Sequence, residues 1–350
     1  MNWLIDKKQI LLSVLGAIGV IISILCIKAF RLVALYDTVS EIADNNYWIS
    51  TIYKVTNATI IDEIIPEPLL CEYRWCFFVV LLFVIIAWGY IYFYKERLIV
   101  LKHSTFDTKI EELSPEIKKR YDIKYIMLNN EVFSQNNLLR IIKYQDTQVN
   151  LINDTTNSHF GYYGIAHTPL IFRAGYMFGD QKNMHLFHKF RSNNSSFEEW
   201  EQYNRGYSNI IDVYKELNND SHSDEMFVAI STTFEIREEE VKTVARNDEH
   251  IIFIKMNQLG FDVIRSYEQA EVLKGHILSI VRQKNKEYGI KKLHLMISSS
   301  VSFTFLLATG ISKQHDPEIV VYHYEKGVYT WGINISKCDE EAVLLVRSNV

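Results

Sequence analysis

The chain is poor in the residues that interrupt or cross-link a fold: its 350 residues include 5 prolines, 14 glycines and 4 cysteines. This composition excludes a collagen-like chain, a small disulfide scaffold and widespread disorder. The cysteines, at positions 26, 71, 76 and 338, form no CxxC pair, so the sequence predicts no zinc site. Cys71 and Cys76 are near enough in sequence to form a disulfide, although reduced thiols are the default expectation.

Enzyme signatures are also lacking. The sequence contains no GxSxG, Walker, HExxH or GxGxxG motif, and no pair of carboxylates stands out as a general acid and base. We therefore predict no catalytic residue, no metal and no cofactor. An excess of positive charge is missing too, because the formal net charge is -5 and residues 95–350 are net negative. Long nucleic acid is thus not an expected partner, and any bound phosphate should belong to a small molecule in a local pocket.

Long apolar runs are confined to the first 94 residues. Two uncharged stretches, 9–27 and 75–94, each have the length of a helix that crosses a bilayer. The first lacks the small residues of a signal-peptide cleavage site, and the aromatic residues of the second suit a membrane interface better than a core helix. We predict a two-span transmembrane module over 1–97 with a short outer segment, 30–74. Basic residues before the first span and after the second favour a multi-pass membrane protein with both termini in the cytoplasm.

The rest of the chain has the pattern of an α/β protein. Residues 98–154 are predicted as a connector that carries an amphipathic helix near 134–152. From 155 to 350, short apolar strands alternate with helices, which favours largely parallel sheets. The predicted strands are 161–166, 184–190, 226–231, 251–255, 292–297, 319–324 and 328–335, and the predicted helices are 168–178, 197–217, 236–246, 266–287 and 300–311.

Self-comparison indicates an internal repeat. Residues 164–179 can be laid on residues 295–310, and each window contains a strand, a short polar turn, an apolar helix and a final glycine. A further strand follows in both cases. Two halves related by duplication would place their strand ends side by side, whereas a chance recurrence of ordinary strand–helix units is the alternative.

Polar turns follow three of the predicted strands, at the ends where α/β sheets bind ligands. Their hydroxyls and backbone amides suit phosphate or ribose oxygens, although helix capping explains any one of them equally well. Basic and aromatic residues near other strand ends complete the predicted ligand site. The candidate residues are Thr168, Arg173, Lys189, Phe190, Arg191, Trp200, Ser231, Thr232, Thr233, Phe234, Ser298, Ser299, Ser300, Tyr324 and Trp331.

Three segments resemble a known family. The block Lys292–Gly310, the following Pro317–Tyr329 and the earlier Met184–Phe190 are similar to the signature of SAVED domains, over about residues 155–345. The resemblance implies two fused CARF-like Rossmann units that bind a cyclic oligonucleotide in bacterial antiphage signalling of the CBASS type. It also implies an N-terminal effector module, here the two spans, that ligand-driven assembly switches on.

The function expected from these features is a signal-gated membrane effector. A cyclic tri- or tetranucleotide would bind the cytoplasmic α/β domain, bring copies together as a homo-oligomer and cluster their spans in the lipid bilayer. The spans would then disrupt the bacterial inner membrane and kill the cell. The alternatives are a membrane-anchored phosphodiesterase or nuclease that acts on the same kind of ligand, and a membrane sensor whose outer segment binds an external signal.

Overall fold

The computed structural model describes residues 85, 95–107, 110–129, 131–153, 159–180, 184–191, 196–200, 211–218, 221–246 and 248–346. The chain divides into two compact units, Met1–Tyr94 and Lys95–Val350. Both predicted membrane spans therefore lie outside the described residues, Ile85 excepted. Among the residues that are described, no helix is both long and apolar enough to cross a bilayer.

The first half of the second unit, residues 95–200, forms what we call the first lobe. Its elements are β1 (Glu96–Ser104), α1 (Pro115–Arg120), β2 (Tyr121–Met127), α2 (Leu138–Asn153), β3 (His159–Ile165), α3 (Thr168–Phe178), β4 (Met184–His188) and β5 (Glu198–Glu199). The strands form one sheet in the order β2-β1-β3-β4-β5. The first four strands are parallel, and β5 is antiparallel to β4.

The second lobe, residues 211–346, is built on a seven-stranded sheet. Its elements are β6 (Ile211–Leu217), β7 (Glu225–Ser231), α4 (Glu238–Val241), β8 (His250–Met256), α5 (Tyr267–Tyr288), β9 (Lys292–Ser298), α6 (Val301–Thr309), β10 (Glu318–Glu325), β11 (Val328–Asn334) and β12 (Val343–Leu345). The strand order is β12-β11-β10-β9-β7-β8-β6. The four central strands, β7 to β10, are parallel, and their outer neighbours β6 and β11 are antiparallel to them.

The two lobes share one topology. If the parallel strands of each sheet are numbered in chain order, they lie side by side in the order second, first, third, fourth. An antiparallel strand then pairs with the fourth. The helices match as well, because α1, α2 and α3 occupy the same connections in the first lobe as α4, α5 and α6 in the second. The duplication predicted from sequence therefore agrees with the topology. The predicted shift places Thr168, the first residue of α3, on Ser299, whereas α6 begins two residues later at Val301.

The main core lies between the two sheets and is common to both lobes. Apolar side chains of α2, α3, α5 and α6 and the inner faces of both sheets form one buried cluster. A smaller cluster that includes Ile117 of α1 covers the outer face of the first sheet, and another that includes Val241 of α4 covers that of the second. The second unit is thus layered as helix, sheet, helices, sheet, helix. Both faces of each sheet are buried, which explains the near-continuous apolar sequences of the parallel strands.

Local sequence determines where the central helices begin and how closely they pack. The Ser300 hydroxyl accepts a hydrogen bond from the Phe303 N–H and caps α6. Pro169 is the second residue of α3, where its missing N–H costs nothing. Helix α3 packs on α6 at Gly175, and a Cβ added there would lie 2.3 Å from the carbonyl oxygen of Phe305. Only glycine allows this approach.

Several predicted elements differ from the structure. The helix predicted over 197–217 is wrong, because its described parts are the strands β5 and β6. The helix predicted over 236–246 shortens to the four residues of α4. The segment predicted as a connector, 98–154, carries β1, β2 and α2 and forms an integral part of the first sheet. Strands β2 and β6 are edge strands that contain several charged residues, and these interrupt the apolar runs by which a strand would be recognised.

Candidate functional site

The candidate site lies at the carboxyl ends of the parallel strands. In a sheet with this strand order, ligands bind where the chain turns away in opposite directions, between the first and third parallel strands. These positions lie between β1 and β3 in the first lobe and between β7 and β9 in the second. The turns after those four strands therefore form two candidate ligand sites, one in each lobe.

In the second lobe, the turns after β7 and β9 form a surface that we call the hydroxyl edge, Ser231–Thr233 and Ser298–Ser300. The backbone N–H groups of Thr232 and Thr233 donate to the carbonyl oxygen of Ser298 at 2.8 and 3.0 Å. The Thr232 hydroxyl donates to Ser299 Oγ at 2.8 Å, and the hydroxyl oxygens of Thr233 and Ser298 lie 3.0 Å apart. These bonds hold the two turns together and place several hydroxyl groups side by side.

The residues of the hydroxyl edge differ in whether their hydroxyl groups are available to a ligand. Ser231 Oγ accepts a hydrogen bond from the Ile236 N–H at 3.0 Å and is buried, and Ser300 caps α6. The hydroxyl groups of these two residues therefore stabilise the local fold, which is the alternative role that the sequence also allowed. Ser298 and Ser299 are partly exposed, and a hydroxyl group can donate one hydrogen bond and accept two. Ser299 Oγ accepts from Thr232, so its proton can be donated to an oxygen of a sugar or a phosphate. Ser298 Oγ accepts from the Phe234 N–H, and its proton is available in the same way when Thr233 donates to it.

The end of β4 in the first lobe reaches the loop after β8 in the second. The Arg191 N–H donates to Asp262 Oδ2 at 3.0 Å, and the Arg191 guanidinium lies over the ring of Phe261, 3.0 Å from its centre. Within the residues that the structure describes, no carboxylate forms an ion pair with this guanidinium, so its charge is available to an anion. Lys189 lies nearby in sequence but is paired with Glu111 at 2.6 Å.

The side chain of His188, at the end of β4, contacts residues of both of these loops. Its Nε2 lies 3.5 Å from Asp262 Oδ1, and its ring packs against the rings of Phe190 and Trp200. Burial lowers the pKa of His188, and the neighbouring Asp262 carboxylate opposes that effect without overcoming it. The positive charge at this junction is therefore supplied by Arg191.

The corresponding turns of the first lobe form an aromatic edge, which consists of Thr105, Phe106, Phe133 and His167. Thr105 Oγ1 lies 2.6 Å from His167 Nδ1, and the His167 ring packs against Phe106 at 4.3 Å and Phe133 at 4.2 Å between ring centres. Where the second lobe presents hydroxyls, the first lobe thus presents rings.

Two residues of the second lobe complete the aromatic edge. His323 of β10 and Trp331 of β11 pack on it, and the His167 ring lies 4.6 Å from that of His323. Burial is the main cause that lowers the pKa of His167 to about 3 and that of His323 to about 4. Both imidazoles are therefore neutral at neutral pH, so the aromatic edge is a neutral surface.

The structure brings some of the predicted residues together. Ser231–Thr233, Ser298–Ser300 and Phe234 belong to one edge, and Phe234 lies 4.9 Å from the ring of Phe261, over which Arg191 stacks. Lys189 and Phe190 adjoin Arg191 in the chain. Thr168 is the partly exposed first residue of α3, beside the aromatic edge.

Other predicted residues are placed elsewhere. Arg173 is 1% exposed: it forms a bidentate pair with Asp146 and donates from Nη1 to the carbonyl oxygens of three residues at the end of β11, namely Asn334, Ile335 and Lys337. It ties the lobes together and is buried away from any surface that a ligand could reach. Trp200 and Trp331 are 2% and 0% exposed: they pack against His188 and His167 as core residues and present no surface to a ligand. The Tyr324 hydroxyl donates to Glu240 on the α4 side of the sheet.

Sequence reasoning missed Thr105, Phe106 and Phe133 of the aromatic edge, as well as Phe261 and Asp262. Thr105 and Phe106 follow β1, which the pattern of the chain did not reveal as a strand. Phe261 and Asp262 follow a correctly predicted strand, β8, and the polar end of that strand was the available signal. Among the described residues, no group of three or more histidine, cysteine, aspartate or glutamate side chains is arranged to hold a metal ion.

Solved structures with a similar fold include two receptors that contain SAVED/CARF domains. The Acinetobacter baumannii Cap4 receptor, solved with the cyclic trinucleotide 2′3′3′-cAAA, is 14% identical, with a TM-score of 0.46 over 67% of this chain and 50% of that one. The Cap4 receptor of Moraxella osloensis is also 14% identical, with a TM-score of 0.41 over 72% of this chain and 52% of that one. The chain thus spans about half the length of these structures, and no curated protein matches it.

A family model gives the assignment. The model described as SMODS-associated and fused to various effectors sensor domain, abbreviated SAVED, matches residues 144–335. This range runs from within α2 to the end of β11 and contains the hydroxyl edge and the end of β4. It also contains His167 of the aromatic edge and the two residues that pack on that edge, His323 and Trp331. The chain belongs to the SAVED family.

Proposed function

We propose that the chain is a membrane effector of bacterial antiphage signalling of the CBASS type, and that it senses a cyclic oligonucleotide. The observation that carries the proposal is the hydroxyl edge, which occupies the switch point of the second sheet near the guanidinium of Arg191, for which the described residues provide no carboxylate partner. Sensor is also the role in the family's description.

The chemistry of the site fits a small cyclic polyanion. Partly exposed hydroxyls of Ser298 and Ser299 suit ribose and phosphate oxygens, and the Arg191 guanidinium supplies a planar, permanently charged partner for a phosphate. A net negative sensor domain repels long nucleic acid, and a local cation among hydroxyls still admits a compact ligand. The ligand is bound and not cleaved in this proposal.

The two apolar runs at 9–27 and 75–94 supply the effector. We propose that they cross the inner membrane with both termini in the cytoplasm, and that ligand binding assembles copies of the sensor. Assembly raises the effective concentration of the spans, so weak contacts between them become sufficient to breach the bilayer. The partners are thus the cyclic oligonucleotide, the lipid bilayer and further copies of the chain.

A leakage experiment tests the proposal. The full-length protein is reconstituted in liposomes that enclose a self-quenching dye, and cyclic di-, tri- and tetranucleotides are added one at a time. We expect one of them to release the dye from vesicles that carry the wild-type protein and not from vesicles that carry Arg191→Ala. Absence of release with every compound would overturn membrane disruption, and appearance of linear products would favour the phosphodiesterase alternative.

A further inference from the structure

Two phenylalanines differ from all others in the described part of the chain. Phe106 is 39% exposed and Phe234 is 60% exposed, whereas every other described phenylalanine is buried or partly buried. Exposure of a large ring forfeits the free energy that its burial would give. Two such rings near candidate binding turns therefore need a physical explanation.

The two exposed rings follow equivalent residues of the duplicated fold, Thr105 and Thr232, at a distance of one and two positions. Phe106 follows Thr105, whose N–H donates to the carbonyl of Ile165 at the end of β3. Phe234 lies two residues after Thr232, whose N–H donates to the carbonyl of Ser298 at the end of β9. Each exposed phenylalanine thus lies beside the switch point of its own lobe.

A second backbone bond supports the equivalence. The carbonyl oxygen of Thr105 accepts from the Phe133 N–H at 3.1 Å, and that of Thr232 accepts from the Gly260 N–H at 3.1 Å. Both donors belong to the loop that follows the second parallel strand of the lobe. The same scaffold therefore holds the first exposed ring and the second.

Each ring is also held by an aromatic neighbour. The Phe106 ring is stacked on the imidazole of His167, with 4.3 Å between centres and 24° between planes. The Phe234 ring meets Phe261 edge to face at 4.9 Å, and Phe261 is in turn covered by the Arg191 guanidinium. Such neighbours fix the orientation of an exposed ring, so less conformational entropy is lost when a planar ligand stacks on it.

We propose that Phe106 and Phe234 are two platforms on which nucleobases stack, one in each lobe. A single cyclic oligonucleotide would place two of its bases on them, one base on each phenylalanine. The inference rests on the proposed function and adds to it a requirement on the ligand: it must carry at least two bases at a fixed separation. Phe234 lies beside the hydroxyl edge and Arg191, where the sugar–phosphate backbone would be held, whereas Phe106 lies on the neutral aromatic edge. The two bases are therefore read in different surroundings.

Affinity measurements on the full-length protein in detergent micelles test the proposal. The probes are 3′3′3′-cAAA, 3′3′3′-cUUU and a cyclic tetraadenylate, and the variants are Phe106→Ala, Phe234→Ala and the double variant. Stacking of one base on one ring corresponds to a change in affinity of about 5- to 150-fold. We expect a loss of that size from each single variant, and a loss from the double variant near the product of the two.

Controls separate stacking from structural damage. Tyr125→Ala removes a similarly exposed ring, 42% exposed, from the edge strand β2, and its affinity should stay within about twofold of the wild type because it lies outside both edges. Phe106→Trp should restore most of the affinity lost in Phe106→Ala. A probe with 2-aminopurine in place of adenine should lose part of its binding-induced fluorescence quenching in either alanine variant.

The outcomes distinguish the inference from the function on which it rests. Binding of a probe by the wild type with unchanged affinity in Phe106→Ala overturns the second platform and leaves the sensor function intact. A loss in Phe106→Ala that Phe106→Trp does not restore, with unchanged 2-aminopurine quenching, assigns the ring a structural role and overturns the inference. Failure of the wild type to bind any of the probes contradicts both proposals.

Discussion

Because α3 and α6 are in close contact at Gly175, substitution of this glycine by alanine should lower stability, whereas the same substitution at Gly275 should raise it. At Gly175 of α3, an added Cβ would lie 2.3 Å from the carbonyl oxygen of Phe305 and 2.9 Å from the Cβ of Ala308. Both obstacles belong to α6, and one is backbone, so no side-chain rotation relieves the clash. At Gly275 of α5, an added Cβ meets nothing within 4 Å. The same substitution is thus blocked at one site and unhindered at the other.

The expected magnitudes follow from these distances. Alanine is favoured over glycine in a helix interior by about 1 kcal/mol, and Gly275→Ala should gain this amount. At Gly175 the same gain is offset by the cost of forcing two helices apart, which for a clash with backbone reaches about 3 kcal/mol. The net loss is about 2 kcal/mol, or a Tm lower by about 4–8 °C for a domain of this size. Gly275→Ala should raise the Tm by about 2–4 °C.

Intrinsic tryptophan fluorescence during heating of the full-length protein measures both changes, since Trp200 and Trp331 lie in the sensor core. Gly275→Ala serves as the matched control, because it makes the same chemical change on a helix of the same unit. An equal or higher Tm for Gly175→Ala would refute the close packing of the two helices, and with it the account of a core shared between the lobes.

Three further predictions concern charges. Arg173→Met leaves the largely buried Asp146 carboxylate unpaired, so the free energy of unfolding should fall by about 3–5 kcal/mol, and a smaller loss in denaturant titration would contradict the role of this ion pair. Arg191→Ala should weaken binding of a cyclic oligonucleotide by about tenfold or more, and Arg191→Lys by less, with unchanged Tm; equal affinities in titration calorimetry would exclude a phosphate contact. Burial holds the pKa of His167 at about 3 and that of His323 at about 4, below the value of 6.5 for a free histidine. Between pH 6.5 and about 4 the unfolded chain binds protons that the folded chain does not, so stability should fall with pH by about 1.4 kcal/mol per unit for each histidine, and a Tm that is unchanged between pH 7 and pH 5 would contradict neutral buried imidazoles.

The parts of the fold that sequence predicted are those with an unambiguous pattern. Helices α3 and α6 are buried over most of their length, because both lie in the central layer, and their largely apolar sequences allowed their bounds to be predicted to within about two residues. Strands β1, β2 and β6 were missed, since two of them are edge strands with charged faces and β1 directly follows an apolar run. A search for continuous apolar segments detects buried strands and passes over such edges.

The candidate site was predictable only in part, for a related reason. Hydroxyl residues after β7 and β9 are adjacent in sequence to recognisable strands, so their position at one edge followed from the topology of parallel sheets. Arg173 and Trp331 were chosen by residue type, and only the packing shows that both are buried. Phe106 had no signal of its own, because its significance depends on β1 being the counterpart of β7. The equivalence of two turns becomes visible when the hydrogen bonds of both lobes are compared.

The shared core also constrains how binding is transmitted. Several connections hold the lobes together, and three of them lie at the central helices or at their ends: the contact at Gly175, the bonds of Arg173 to backbone carbonyls after β11, and the Ser302 hydroxyl, which donates to the carbonyl of Phe187 at 3.0 Å. A hinge that opened the lobes would break all three and expose the apolar surfaces of α3 and α6, at a cost that the differential binding energy of a small ligand must exceed. The exposed turns at the carboxyl edges carry no such cost. We therefore expect a ligand to reorganise those turns and the surface they offer to another copy, which favours assembly over hinge opening as the signal.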